Sequence, residues 1–199
     1  MSRTEEISTD VQAVSAAAEE ARSHAEETLE YAREQIEMAY EHGWDGVAQS
    51  VNIAGEALEK ITGELAGTQA TFENATKTLD AISEQMSSSE VAEQLALTLG
   101  EVDATDQALQ GTVELVAEAV QGAEQADHQA LAGRLATLRE DLEKLSGRLA
   151  QSRTDLLSEQ EQAEKMGKQE QGGGKDAKRR DEDGDQQKRD DAEGKVPAA

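Results

Sequence analysis

Cysteine is absent from the 199 residues, which excludes disulfides and thiolate metal sites and leaves the redox compartment open. Aromatics are almost missing too: Trp44, Phe72, Tyr31 and Tyr40 are the whole set, 2% of the chain. Pockets for small molecules are lined by several aromatic and large apolar groups, so the composition argues against a deep enzyme cleft. The single proline, Pro197, sits beyond any helix it would break. No run approaches the ~20 apolar residues that cross a bilayer, and no membrane span is expected. The opening Met-Ser-Arg-Thr-Glu-Glu lacks a basic segment followed by an apolar core, so no general secretory signal is expected. Gly-rich phosphate loops, His-Glu-x-x-His, Gly-x-Ser-x-Gly and calcium-loop patterns are missing as well. The expectation is therefore a chain without cofactor or catalytic constellation, and an enzyme is the least favoured class.

What is abundant is acid. The net charge is −24, unevenly placed: residues 1–130 hold 27 acidic and 5 basic side chains, against 7 and 6 in residues 131–166. From Asp80 to Asp127 there are eleven acids and no base. Such a surface repels nucleic-acid phosphates and anionic headgroups, so no nucleic-acid partner is expected. Lipid binding is disfavoured further because the helices lack large aromatic insertion residues. Solubility and avoidance of self-association, or adaptation to high salt, account for the acid more simply than a dedicated cation site.

The apolar residues are placed with a strict rhythm. Val47, Val51, Ala54, Leu58, Ile61, Leu65, Thr68, Phe72, Ala75, Leu79, Ile82 and Met86 follow one another at alternating steps of four and three, and only Thr68 is polar. A 3.5-residue repeat keeps one seam facing a partner helix. The predicted core seam is accordingly Val47, Val51, Leu58, Ile61, Leu65, Phe72, Leu79, Ile82 and Met86. A helix over these residues would be ~60 Å long at ~1.5 Å per residue.

Three more stripes flank it. Val11, Val14, Ala18, Ala21, Ala25, Leu29, Ala32, Ile36 and Ala39 form a thin first stripe, rich in alanine. Val91, Leu95, Leu99, Val102, Leu109, Val113, Val116, Val120 and Ala123 form a third, which skips a layer near Asp106. Leu131, Leu135, Leu138, Leu142, Leu145, Leu149, Ser152 and Leu156 form a fourth. Helix starts are marked by capping boxes at Ser2–Glu5 and Ser87–Glu90, and by Asp45 and Asp127 as capping candidates. Helices are expected at about 4–42, 46–86, 89–123 and 128–166, with 122–128 the least marked boundary. The predicted fold is all-α: long antiparallel helices in a four-helix bundle or coiled coil over residues 1–166. A charged tail at 167–199 offers no apolar face and is expected to be disordered.

Few residues look chosen for chemistry. His24, His42 and His128 fall on different helices or helix ends, and exposed or capping roles explain them better than metal binding. Glu27, Glu30, Glu34, Glu37 and Glu41 line the first helix, but no Glu is followed three residues later by His, as a di-iron bundle requires. The candidate interaction turn is Gly43, Trp44, Asp45 and Gly46. Its glycines permit a tight reversal, and Trp44 either covers the hairpin end or is displayed there as an anchor.

Helix, Trp44-Asp45-Gly46, helix resembles the WXG-type helical-hairpin proteins exported by type VII secretion systems, over roughly residues 1–86. This chain departs from them in its length and in lacking a Tyr-x-x-x-Asp/Glu export signal after the second helix. The Gly43–Ala48 turn, the Ala-rich helices and the charged tail are also similar to an uncharacterised all-helical actinobacterial family, over roughly residues 10–166. The first resemblance implies export without a signal peptide. The second implies architecture alone. The expected function is binding of a protein partner, or self-association, through helices, in the cytoplasm or after export by a signal-peptide-independent route.

Overall fold

A rhythm of fours and threes becomes one continuous buried stripe only on a helix. The computed structural model describes residues 3–83 and 85–190, with side chains up to Gln169. These form α1 Arg3–Glu41, α2 Asp45–Asp80, α3 Ser88–Gln125 and α4 Gln129–Asp190. Each helix packs on its neighbours in sequence, α4 returns to α1, and among the described residues no diagonal pair brings Cα atoms within 8 Å. Short connections at 42–44, 81–87 and 126–128 make successive helices antiparallel. The fold is an up-down-up-down four-helix bundle.

The α2 seam is buried from Val51 through Leu58, Ile61, Leu65, Thr68, Phe72 and Ala75 to Leu79. Thr68 closes its hydroxyl internally by donating to the Glu64 carbonyl at 3.0 Å. At the ends the expectation is corrected. The helix stops at Asp80 and not at 86, with the Ala81 amide on the Lys77 carbonyl and the Ile82 amide on Leu79. Ile82 and Met86 therefore lie in the link to α3, half-buried, and Val47 is half-buried in the first turn. The reversal needs chain, and the last two positions of the rhythm supply it.

Helix α3 departs further from its predicted stripe. Its buried line runs Leu95, Thr98, Val102, Thr105, Leu109, Thr112, Val116, Ala119 and Ala123. Val91, Leu99, Val113 and Val120 sit half-buried on the flank instead. No layer is skipped. Three threonines seven residues apart fill alternate layers, and each donates to the carbonyl four residues back: Gln94 at 3.1 Å, Glu101 at 2.9 Å and Ala108 at 2.9 Å. That bond satisfies the hydroxyl without a partner on another helix, so threonine behaves there as a small apolar residue with a methyl to pack.

The α4 stripe Leu131 to Leu156 is buried at all eight predicted positions, and burial continues to Ala163 and Gly167. Gly167 ends it where α4 passes within 3.6 Å of the Ser89 amide, measured from where a Cβ would stand. The backbone of α4 is described as far as Asp190. Residues 191–199 of the expected tail, and Ser2 of the expected first capping box, lie outside the described residues.

Helix α1 buries Ile7, Val11, Val14, Ala18, Ala21, Ala25, Thr28 and Ala32, most of them small. Its contact with α4 is the least extensive of the four. Short side chains leave a shallow open groove of about 150 Å³ between the two helices, lined by Ala17, Ala21, Asp141, Leu145 and Arg148 among others.

Candidate interaction surface

The α1–α2 turn is built by one glycine. Gly43 has φ 72°, in the left-handed region that favours glycine. Its amide donates to the Tyr40 carbonyl at 3.0 Å, and the Trp44 amide donates to Ala39 at 2.8 Å. This pair of bonds closes a helix C-terminus and turns the chain back. Trp44 then occupies the residue before α2, at φ −94° and ψ 57°, with no side-chain capping bond. Asp45, expected to cap α2, is instead its first residue, where its charge favours the positive helix end. Gly46 opens onto empty space.

Trp44 does not cover the hairpin end. It is 59% exposed, and its ring lies over the imidazole of His42 with centroids 5.1 Å apart. His42 is held in turn by donating from Nδ1 to the Met38 carbonyl at 2.7 Å. Met38 is 44% exposed and Tyr40 57%. Among the described residues, four of the six exposed large apolar side chains, with Ile53 as the fourth, belong to the ends of α1 and α2 that meet here and the turn between them.

The stagger of the bundle explains this exposure. Toward this end of the bundle, α1 meets α4 and the residue before it through His24, on Asp141 at 3.4 Å, Tyr31, under the Arg134 guanidinium at 4.6 Å, and Gln35, on His128 at 3.2 Å. Met38 and His42 continue that same stripe, three and seven residues after Gln35. But α4 begins at Gln129, level with Gln35, so α4 does not reach them. On α2, Ser50 and Ile53 lie beside Gly122, close to the end of α3 at Gln125. Beside α4, α1 thus runs on by about six residues, ~9 Å at ~1.5 Å each, whereas beside α3 and the turn after it the overhang of α2 is only about two residues.

The α3–α4 turn that stops short is itself a packed device. Asp127 takes φ 52°, and the amides of Asp127 and His128 donate to Glu124 and Ala123. Asp127 therefore ends α3 in the position a glycine holds after α1, and is not the cap of α4. His128 is that cap: its Nδ1 accepts from the Leu131 amide at 3.3 Å while Nε2 donates to Gln35 Oε1. The Tyr31 ring meets the imidazole edge-on at 5.8 Å. No stripe or spacing signals Gln35, Tyr31, His128 and Arg134 as a group, because they come from two helices whose relative stagger decides the contact. The three histidines make separate bonds, His24 to Asp141, His42 to Met38 and His128 to Gln35, and among the described residues no group of three His, Asp or Glu is placed to hold a metal ion.

No family model, no curated protein and no solved structure matches this chain. The surface must be read from its own chemistry. Residues 34–59 contain Glu34, Glu37, Glu41, Asp45, Glu56 and Glu59, and neither Lys nor Arg. The nearest cation before them, Arg33, is engaged with Glu59 at 2.7 Å. The exposed ring and thioether therefore stand in a field of carboxylates. Among the described residues no helix is long and apolar enough to cross a membrane.

Proposed function

We propose that the chain is a non-enzymatic helical-bundle protein acting through protein–protein contact, with the projecting α1–α2 hairpin end as its contact surface. One observation carries this reading: the seams are consumed inside the bundle, whereas Met38, Tyr40 and Trp44 are left exposed at one end. An exposed tryptophan beside other apolar groups is the composition of a binding anchor, not of a solvated turn. The reading moves the contact away from helix seams, since among the described side chains a second copy would find none free. A cytoplasmic setting without nucleic-acid or lipid partners is part of the proposal, on the strength of the acid surface.

A photo-crosslinking amino acid placed at Trp44, and at Glu114 on α3 as a control, tests it in the producing cells. The expected result is one adduct of defined mass from position 44 and none from 114. Equal labelling at both positions, or none at 44, would refute it.

A second reading, as an exported type VII-associated substrate or partner, is favoured by the exposure of Trp44-Asp45-Gly46 at a helical-hairpin tip, where the WXG resemblance requires it. Culture filtrate and lysate, compared with a cytosolic marker, distinguish the two. Export that disappears with Trp44→Ala supports the second reading, and retention in the lysate removes it.

A further inference from the structure

We infer that the uncovered end of the α4-facing stripe on α1 receives a basic, apolar protein segment, lying on Met38 and Trp44 in line with α4 and held by the surrounding carboxylates. The inference rests on the hairpin end being the contact surface, and it adds the chemistry of the partner.

Three features converge. The face is a bundle interface continued past the end of its partner helix: Gln35 meets His128, and Met38 and His42 follow on the same side beyond the first residue of α4. An occupant that completes the interface must bring apolar side chains, as α4 does lower down. The surface also has a fixed shape. The left-handed Gly43, the paired amide bonds of the turn and the His42–Trp44 stack set the indole before any partner arrives, which lowers the ordering cost of binding.

Charge selects the sign. Glu37, Glu41 and Asp45 lie within the same turns, and none is engaged in an ion pair with a described cation. A Lys or Arg arriving there gains carboxylate partners, and the face of an exposed indole attracts a cation as well. A second copy of this chain would instead bring a like-charged tip against this one, which the net charge of −24 opposes. A neutral apolar segment would leave the carboxylates partly desolvated without compensation. Lower down the same interface, α4 itself places Arg134 over the Tyr31 ring. The occupant would repeat that arrangement one step further along.

Trp44 is the only tryptophan, so its fluorescence reports on this surface alone. Three synthetic tryptophan-free helical peptides serve as probes: one of Leu and Lys, one of Leu and Glu, one of Ser and Lys. The Leu/Lys peptide is expected to shift Trp44 emission to the blue, saturably, and the other two are expected to leave it in place. The triple variant Glu37→Gln, Glu41→Gln, Asp45→Asn should weaken the Leu/Lys peptide tenfold or more. Removing charge from α3 by Glu114→Gln and Glu118→Gln should weaken it less than twofold. No saturable shift, an equal response to the Leu/Glu peptide, or equal weakening by both sets of variants would each overturn the inference. The broader reading has its own arm: a crosslink from position 44 to an acidic or neutral segment keeps the contact surface and removes this partner chemistry.

Discussion

Single side chains show where the bundle is under tension. Glu101 lies on α3 three heptads before Gly122, which abuts α2, and its Oε2 is buried without a hydrogen-bond partner. Burial raises its pKa above the ordinary carboxylate value. Because the folded state favours the protonated form, Glu101 contributes fully at a pH below the ordinary carboxylate range. That contribution is lost as the pH rises through the raised value. Glu101→Gln cannot ionise, so thermal unfolding should show it more stable than the parent at about pH 7, by up to about 1 kcal/mol. The two should coincide at about pH 3. A variant equally stabilised at both pH values would contradict the assignment. Glu90 has the opposite sign: bonds from the Ser87 amide and hydroxyl lower its pKa, so the Ser87–Glu90 capping box weakens as acid protonates it. Asp127 holds a left-handed conformation that costs a non-glycine residue about 1 kcal/mol. Asp127→Gly should raise stability by about 0.5–1 kcal/mol in chemical denaturation, with an unchanged denaturant slope. A loss of stability would mean that the Asp side chain, not the backbone, holds the turn.

At the scale of the helix, legibility followed the chemistry of each seam. Helix α2 and helix α4 were readable from sequence because Leu, Ile, Val and Phe mark nearly every buried layer, from Val51 to Leu79 and from Leu131 to Leu156. Helix α3 was not, because Thr98, Thr105 and Thr112 occupy buried layers while Val113 and Val120, more hydrophobic, pack on the flank. Filling in the step of three after each of Leu95, Val102 and Leu109 would have found them, since threonine can satisfy its hydroxyl within its own helix. The end of α2 was overrun for a related reason: the rhythm of Ile82 and Met86 persists although the backbone has already turned. The candidate turn at Gly43–Gly46 was legible as a turn, but its exposure was not. That depends on where α4 starts opposite α1, a property of the whole bundle. Helix α1 carries a further consequence. Its alanines bury little surface per residue, and its contact with α4 is the least extensive. Amide exchange at Ala18, Ala21 and Ala25 should therefore be faster than at Leu58, Ile61 and Leu65, by tenfold or more under native conditions. Equal protection across both helices would show that the bundle opens only as one unit.

The charge of the whole molecule acts on its stability in a way that no single pair reveals. Ion pairs that cross between helices exist, among them Arg153 on Asp103, Arg33 on Glu59 and Arg3 on Glu159, but each is largely exposed on at least one side. Exposed pairs contribute about 0–1 kcal/mol apiece. Against them stand 43 acidic and only 19 basic side chains, and the helix richest in unopposed acid, α3, is clamped between two neighbours. Bringing that charge into a bundle raises the electrostatic energy of the folded state relative to an extended chain. Salt shortens the range of this repulsion from about 10 Å at 0.1 M to about 3 Å at 1 M, while the few attractive pairs have little to lose. The unfolding temperature should consequently rise as sodium chloride is increased from 0.1 M to 1 M. Most of that rise should come at the low end, where the screening length changes fastest. Chloride replaced by sulfate would add a contribution from stronger apolar burial, so the chloride series is the one that isolates charge. A melting temperature that falls across the chloride series would mean that the inter-helix ion pairs outweigh the excess of acid, and that the bundle is held by its charges and not in spite of them.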